Sequence, residues 1–304
     1  METNRAFIRC AKWALYLTFV VIFMGTFVRT THSGMGCPDW PRCFGKWIPP
    51  MNAGQLPPDY EKYLSRQDID HSFNAVHTWT EYVNRLCGVV LVIVSIILTV
   101  WAFKKFFSTK KHISLWSLDL LLLVVLDALL GWALVNSNLN VWVLTAHMLP
   151  ALLTAAVPVI IIFLTEEKEK IADKRLSLFL WIAFVSLLIQ IFIGTQVRSE
   201  VDIVSKQFGY LQREIWLQHV GTYLQAHEIF AWLAALCCIA VVGKSFTHQA
   251  LQRRAVIILV LVLAEVVLGL IMTQMRMPMF AQPLHLLFSS ILIVTVFSQL
   301  LRVK

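Results

Sequence analysis

The sequence predicts an all-α polytopic membrane protein: eight transmembrane helices forming two pseudo-symmetric four-helix bundles, with both termini in the cytoplasm. Three observations carry that expectation. Charged residues are 14% of the 304 and apolar residues 58%, which is too little charge to cover a soluble surface. Apolar runs long enough to cross a hydrocarbon layer of about 30 Å recur eight times. One spacing is also used twice: Gly131 precedes His147, and Gly269 precedes His285, by sixteen residues, with Asp127 or Glu265 four residues ahead of each glycine.

The runs cover 11–30, 79–103, 112–136, 140–165, 176–197, 219–243, 254–275 and 279–301. The first has basic flanks but no small-residue cleavage site before its Gly25–Arg29 end, so it reads as a retained helix. Lys104, Lys105, Lys110 and Lys111 follow the second run; Lys168, Lys170, Lys174 and Arg175 the fourth; Lys244, Arg253 and Arg254 the sixth. The turn after the third run has no Lys or Arg, and the turn after the seventh has only Arg276. Positive charge marks cytoplasmic loops, so both termini are expected inside. The same rule accounts for most of the net charge of +8 and leaves no case for a nucleic-acid partner.

Two longer loops, 31–78 and 198–218, then lie outside. The first holds Pro38, Pro41, Pro49, Pro50, Pro57 and Pro58 with Trp40 and Trp47, the composition of a folded cap with little regular structure. The second has a weak helical pattern over Lys206–Trp216. Of the six cysteines only Cys37 and Cys43 share a loop, which permits one local disulfide in an oxidising compartment.

The halves repeat. Gly25-Thr26-Phe27-Val28-Arg29 closes the first run, and Gly194-Thr195-Gln196-Val197-Arg198 the fifth. Four helices per half start both copies on the same side, so they are related by an axis along the membrane normal. The N-terminal bundle is 1–165, with its outer cap 31–78, and the C-terminal bundle is 166–304. Bundles of this kind build cofactor sites between facing helices.

His147 and His285 lie seven residues into their helices, about 10 Å deep at 1.5 Å per residue. His227, in Gln225-Ala226-His227-Glu228, sits near the outer end of the sixth run. His227 and His285 suit the two axial positions of a haem iron, against the plainer reading of hydrogen-bonded core histidines. Asn84 holds the position analogous to His227 in the first half. It is a poor iron ligand and leaves His147 beside a more open face. Glu81 and Arg85 are spaced i,i+4 on one helix face. Glu81 either moves protons beside the iron or only pairs with Arg85. Arg29 and Arg198, at equivalent helix ends, are equally candidates for haem propionates and snorkelling anchors. His77, one turn above Glu81, either replaces the missing ligand or, as its loop-edge position favours, is a solvated histidine, and His32, His71 and His219 read as outer-surface residues. Asp127 and Glu265 read either as protonated packing groups or as part of a proton or quinol path.

Taken together, Gly25–Arg29 leading into Ser33-Gly34-Met35-Gly36-Cys37-Pro38-Asp39-Trp40-Pro41-Arg42-Cys43, then Glu81-Tyr82-Val83-Asn84-Arg85, Gly131 with His147, Gly194–Arg198, His227 and His285 resemble the haem A synthase family across most of the chain. The resemblance implies a bacterial plasma (inner) membrane enzyme that oxidises the C8 methyl of haem O to a formyl group by successive hydroxylations. It implies haem B on His227 and His285, and substrate haem O near His147, Asn84, Arg29 and Arg85. Glu81 matches the family's essential glutamate, and Cys37 and Cys43 its redox-active or disulfide-bonded pair. Implied partners are haem O, a haem O synthase supplying it and an external electron donor, within a lipid bilayer; a homo-oligomer is allowed. Many members have histidine where Asn84 stands. The rival readings are a di-haem cytochrome passing electrons from quinol, which predicts a full ligand pair in each half, and a haem-binding assembly protein without chemistry. A secondary transporter is disfavoured because it would break a helix at midplane.

Overall fold

A computed structural model describes residues 2–65 and 72–304; His71 lies outside them. Among the described residues there is no strand, and eight helices are long and apolar enough to cross a membrane. They are α1 (Glu2–Thr30), α2 (Ala75–Phe106), α3 (Lys111–Asn136), α4 (Val141–Glu166), α5 (Lys174–Gln207), α6 (Thr222–Ser245), α7 (Gln252–Gln274) and α8 (Ala281–Leu300). Each is longer than the roughly 20 residues a crossing needs or matches it. α2 begins at an Asn74 cap whose Oδ1 accepts from the N–H groups of Val76 and His77 at 3.1 and 3.2 Å. α5 begins at Asp173, whose Oδ1 accepts from Leu176 N–H at 3.0 Å.

The chain forms two compact units, Met1–Pro158 and Val159–Lys304. In the first, α1 packs on α2 and α2 on α3. Small polar residues let α2 and α3 approach: Thr99 Oγ1 donates to Ser117 O at 2.7 Å and Ser114 Oγ to Ala102 O at 2.9 Å. Phe7 meets Trp101 and Phe106 edge-on at the far end. In the second unit α5, α6, α7 and α8 contact one another in a closed ring, α8 returning to α5. Its end is fastened by residues 302–304: Ile171 N–H donates to Arg302 O at 2.8 Å, Lys304 N–H to Ile171 O at 2.9 Å, and Arg302 pairs with Glu166 at 2.6 Å. The outward faces carry apolar residues such as Ile93, Ile97, Leu263 and Val267, which suits lipid contact.

α5 runs ten residues past the end of its apolar run, where a loop is expected. The reason is amphipathic. Val197, Val201, Val204 and Phe208 recur at helical spacing and pack with Trp216 and Met277 into a buried cluster, while Arg198 pairs with Asp202 at 3.2 Å on the polar side. The segment thought weakly helical is instead the last residues of α5, a turn and a short 3-10 helix, Arg213–His219.

The sixteen-residue Gly-to-His spacing is built the same way in both units. α3 closes with Leu139 N–H on Leu134 O at 3.0 Å, and α7 with Met277 N–H on Met272 O at 2.9 Å. These six-to-one bonds end a helix through left-handed residues: Asn138 and Leu139 at φ 51° and 57°, Arg276 and Met277 at 59° and 56°. Side chains at such φ are normally disfavoured. Here the second residue of each pair is anchored in a cap, Met277 in the Trp216 cluster and Leu139 against Gly34, where an added Cβ would lie 3.1 Å from Leu139 Cδ1. α4 remains one helix through Pro150 and Pro158. Each proline removes a donor, so the carbonyls of Ala146 and Thr154 lose their helical partners.

Candidate functional site

In the first unit the site begins at the cap. Cys37 and Cys43 form a disulfide, both fully buried with Phe44 under Leu56, Tyr63, Phe73 and Tyr82. Asp39 fixes the loop within: its carboxylate accepts from Phe44 N–H at 2.6 Å and Gly45 N–H at 2.8 Å. The loop presses directly onto α2. A Cβ at Gly36 would collide with the carbonyl of His77, and Thr78 Oγ1 donates to Gly36 O at 3.0 Å.

This loop turns its carbonyls inward onto Arg85. The guanidinium donates to Cys37 O at 2.7 Å, Asp39 O at 2.7 Å and Arg42 O at 3.0 Å, and through Nε to Glu81 Oε1 at 2.9 Å. Glu81 is 6% exposed. An unpaired carboxylate there would be costly, and the planar fork of arginine is suited to linking it to the loop. Glu81 Oε2 makes no hydrogen bond among the described residues. Asn84, half-buried, is three residues on and on the same face of α2. Arg29 is half-buried in the last turn of α1.

His147 on α4 faces α3. Its Nδ1 lies 3.8 Å from Asp127 Oδ1, and Thr154 Oγ1 donates to Asp127 Oδ2 at 3.0 Å.

The second unit brings its two histidines close together. The rings of His227 on α6 and His285 on α8 are 6.3 Å apart between centroids at an interplanar angle of 76°. A metal between two imidazoles takes bonds of about 2 Å, and each nitrogen is roughly 1 Å from its ring centre, so about 6 Å is the separation required. Among the described residues no three His, Cys, Asp or Glu side chains gather to hold a bare ion. A two-nitrogen donor set instead fits an iron whose other positions are filled by a porphyrin. His227 lies against Gly194 of α5, where an added Cβ would be 3.0 Å from its Cε1, and Gln190 Nε2 lies over both ring nitrogens, 3.1 Å from Nδ1 and 3.3 Å from Nε2, and donates to the His227 carbonyl at 3.1 Å. The corresponding Gly25 of α1 has nothing within 4 Å of such a Cβ. His285 Nδ1 lies 3.1 Å from Glu265 Oε2. Arg198 is engaged by Asp202, one turn further along α5.

Gln190, Thr154 and the loop-fixing role of Asp39 are additions of the structure. Gln190 carried a signal, a polar residue one turn before Gly194 in an apolar run. The loop carbonyls around Arg85 carried none. His77 is half-buried at the start of α2, and His219 is exposed with Nδ1 on Ile215 O at 3.0 Å.

Comparison with known proteins agrees along nearly the whole chain. The profile of the COX15-CtaA family, described as cytochrome oxidase assembly protein, matches residues 9–297. A protein of Bartonella henselae named heme A synthase is 25% identical over 305 residues, covering 89% of this chain and 85% of its own. Proteins of the same name from Shewanella oneidensis and Geobacillus kaustophilus are 22% and 25% identical. They cover 87% and 93% of this chain, and 87% and 88% of theirs.

Proposed function

This chain belongs to the COX15-CtaA family of cytochrome oxidase assembly proteins, and on that footing we propose that it is a haem A synthase, an integral membrane enzyme of a bacterium. Its substrate is haem O, whose C8 methyl it oxidises to a formyl group through successive hydroxylations. Written with water as the oxygen source, methyl plus water becomes formyl with release of four protons and four electrons. With water as the source the electrons leave to an external acceptor; with O₂ as the source an external donor supplies two electrons per hydroxylation.

What supports the reading is an asymmetry inside a repeated design. In the second unit His227 and His285 lie at the separation that two axial ligands need, and they would hold haem B. Bound there, haem B supplies a one-electron relay. In the first unit His147 has Asn84, not histidine, as the analogue of His227, and the glycine matching Gly194 is open. That looser site takes haem O. Glu81 is the group that accepts protons, through Oε2, and Arg85 holds its other oxygen still. Haem O arrives from a haem O synthase.

The test is expression with a haem O supply, followed by pigment extraction. Haem A or its hydroxylated intermediate is the expected product. Recovery of unaltered haem O alone would overturn the reading in favour of an electron-passing cytochrome or a haem-binding assembly protein.

A further inference from the structure

Two buried acids have no part in the chemistry so far. Asp127 and His147 are twenty residues apart, and so are Glu265 and His285. In each unit the left-handed turn folds that spacing so that the acid on one helix meets the histidine on the next. The carboxylate oxygen lies 3.8 Å from Nδ1 in the first pair and 3.1 Å in the second. In both cases Nδ1 is buried and makes no hydrogen bond, and neither does one carboxylate oxygen of each acid: Asp127 Oδ1, the atom nearest Nδ1 in its pair, and Glu265 Oε1, the partner of the oxygen nearest Nδ1. Side-chain exposure is 18% for Asp127 and 16% for Glu265. Acids this deep in an apolar helix pair are costly and are kept for a partner.

We propose that Glu265 is a positioning residue for His285, and Asp127 for His147, each accepting the Nδ1 proton so that Nε2 is the nitrogen offered to haem iron. This rests on the haem reading above. A ligating histidine needs its second nitrogen held, because that bond fixes tautomer and ring orientation and raises the basicity of the ligand. The 3.1 Å approach of Glu265 lies off the line of a hydrogen bond, and a small ring rotation on ligation completes it. The two units differ in strength. Asp127 is further away and shares its carboxylate with Thr154, so His147 is held more loosely, as an exchangeable substrate requires.

The test uses full-length purified protein carrying its haem. Glu265→Gln keeps shape and removes charge; the low-spin haem should stay bound while its midpoint potential moves positive. Glu265→Ala should weaken haem retention about ten- to hundredfold, and Glu265→Asp should restore part of both readouts. Potential and retention unchanged in Glu265→Gln and Glu265→Ala would overturn the proposal. His285→Ala separates the two levels. If it loses the low-spin signal while the Glu265 variants are unaltered, only the positioning role falls. If it keeps that signal, the haem assignment falls and the positioning role with it.

Discussion

Arg85 donates from Nε to Glu81 Oε1 at 2.9 Å while its terminal nitrogens are taken by three carbonyls of the disulfide loop. The buried acid is thereby tied, through one side chain, to a cap more than forty residues earlier in sequence. Glu81 and Arg85 share a helix face by spacing alone, but the pair would be a mobile surface bridge without the loop. With it, a charge-assisted contact is fixed in a site sheltered from water.

Replacement of either residue should therefore fail differently. Glu81→Gln removes the proposed proton acceptor and keeps the packing, so haem A formation should vanish while haem O still copurifies. Arg85→Lys cannot reach three carbonyls and Nε geometry together. It should leave activity at a few per cent or less and also destabilise the cap, read as a lower thermal midpoint. Pigment extraction and thermal unfolding separate the two, and wild-type haem A from Glu81→Gln would remove that residue from the reaction.

The two matched glycines give a paired test. A Cβ at Gly194 meets His227 at 3.0 Å, so Gly194→Ala should shift the spectrum of the haem proposed on His227 and weaken its retention. Gly25→Ala meets nothing within 4 Å. It should leave the spectrum unchanged and gain slightly in stability, since alanine is the better helix former by about 1 kcal/mol. Equal spectral shifts in both variants would contradict the packing of His227 on Gly194.

Much of this was legible in the sequence. Eight helices follow from run length, and the Gly-to-His repeat from counting. The ends of α5 did not, because hydropathy sees Arg198, Glu200 and Asp202 and misses the stripe Val197, Val201, Val204. The partner of Glu265 was hidden for another reason. Its meeting with His285 depends on Arg276 and Met277 adopting left-handed backbone, which non-glycine residues rarely advertise. The grip on Arg85 comes from backbone carbonyls of an irregular loop, where side-chain identity says little.

At the other end of the second unit, Asp173 caps α5 and also contacts His248 at 2.9 Å and Lys244 at 3.4 Å. The Leu176 N–H, then His248 and Lys244, hold its carboxyl well below the usual carboxylate range. A depressed folded value means the stabilisation is complete above the unfolded value, near 3.9, and is lost as pH falls towards the folded one. Thermal unfolding of Asp173→Ala should therefore trail the parent protein at neutral pH by a constant margin. The margin should shrink below about pH 4. A margin that widened on acidification would show that the clasp draws its strength elsewhere.

The disulfide should prove a clip. Cys37 and Cys43 are 0% and 1% exposed beneath a layer of aromatic side chains, so a thiolate has no line of attack on either sulfur in the folded protein. Millimolar thiol should leave the bond intact until the cap unfolds, as thiol counting before and after denaturation would show. Replacing both by serine opens a short loop, and constraint of the unfolded chain accounts for about 2 kcal/mol of stability. The carbonyls that hold Arg85 would then wander. Haem A formation should fall several-fold and recover partly on cooling, because the chemistry proposed at Glu81 is intact when the cap is closed. Complete loss at every temperature, with a cap still folded, would instead make the sulfurs participants in electron transfer.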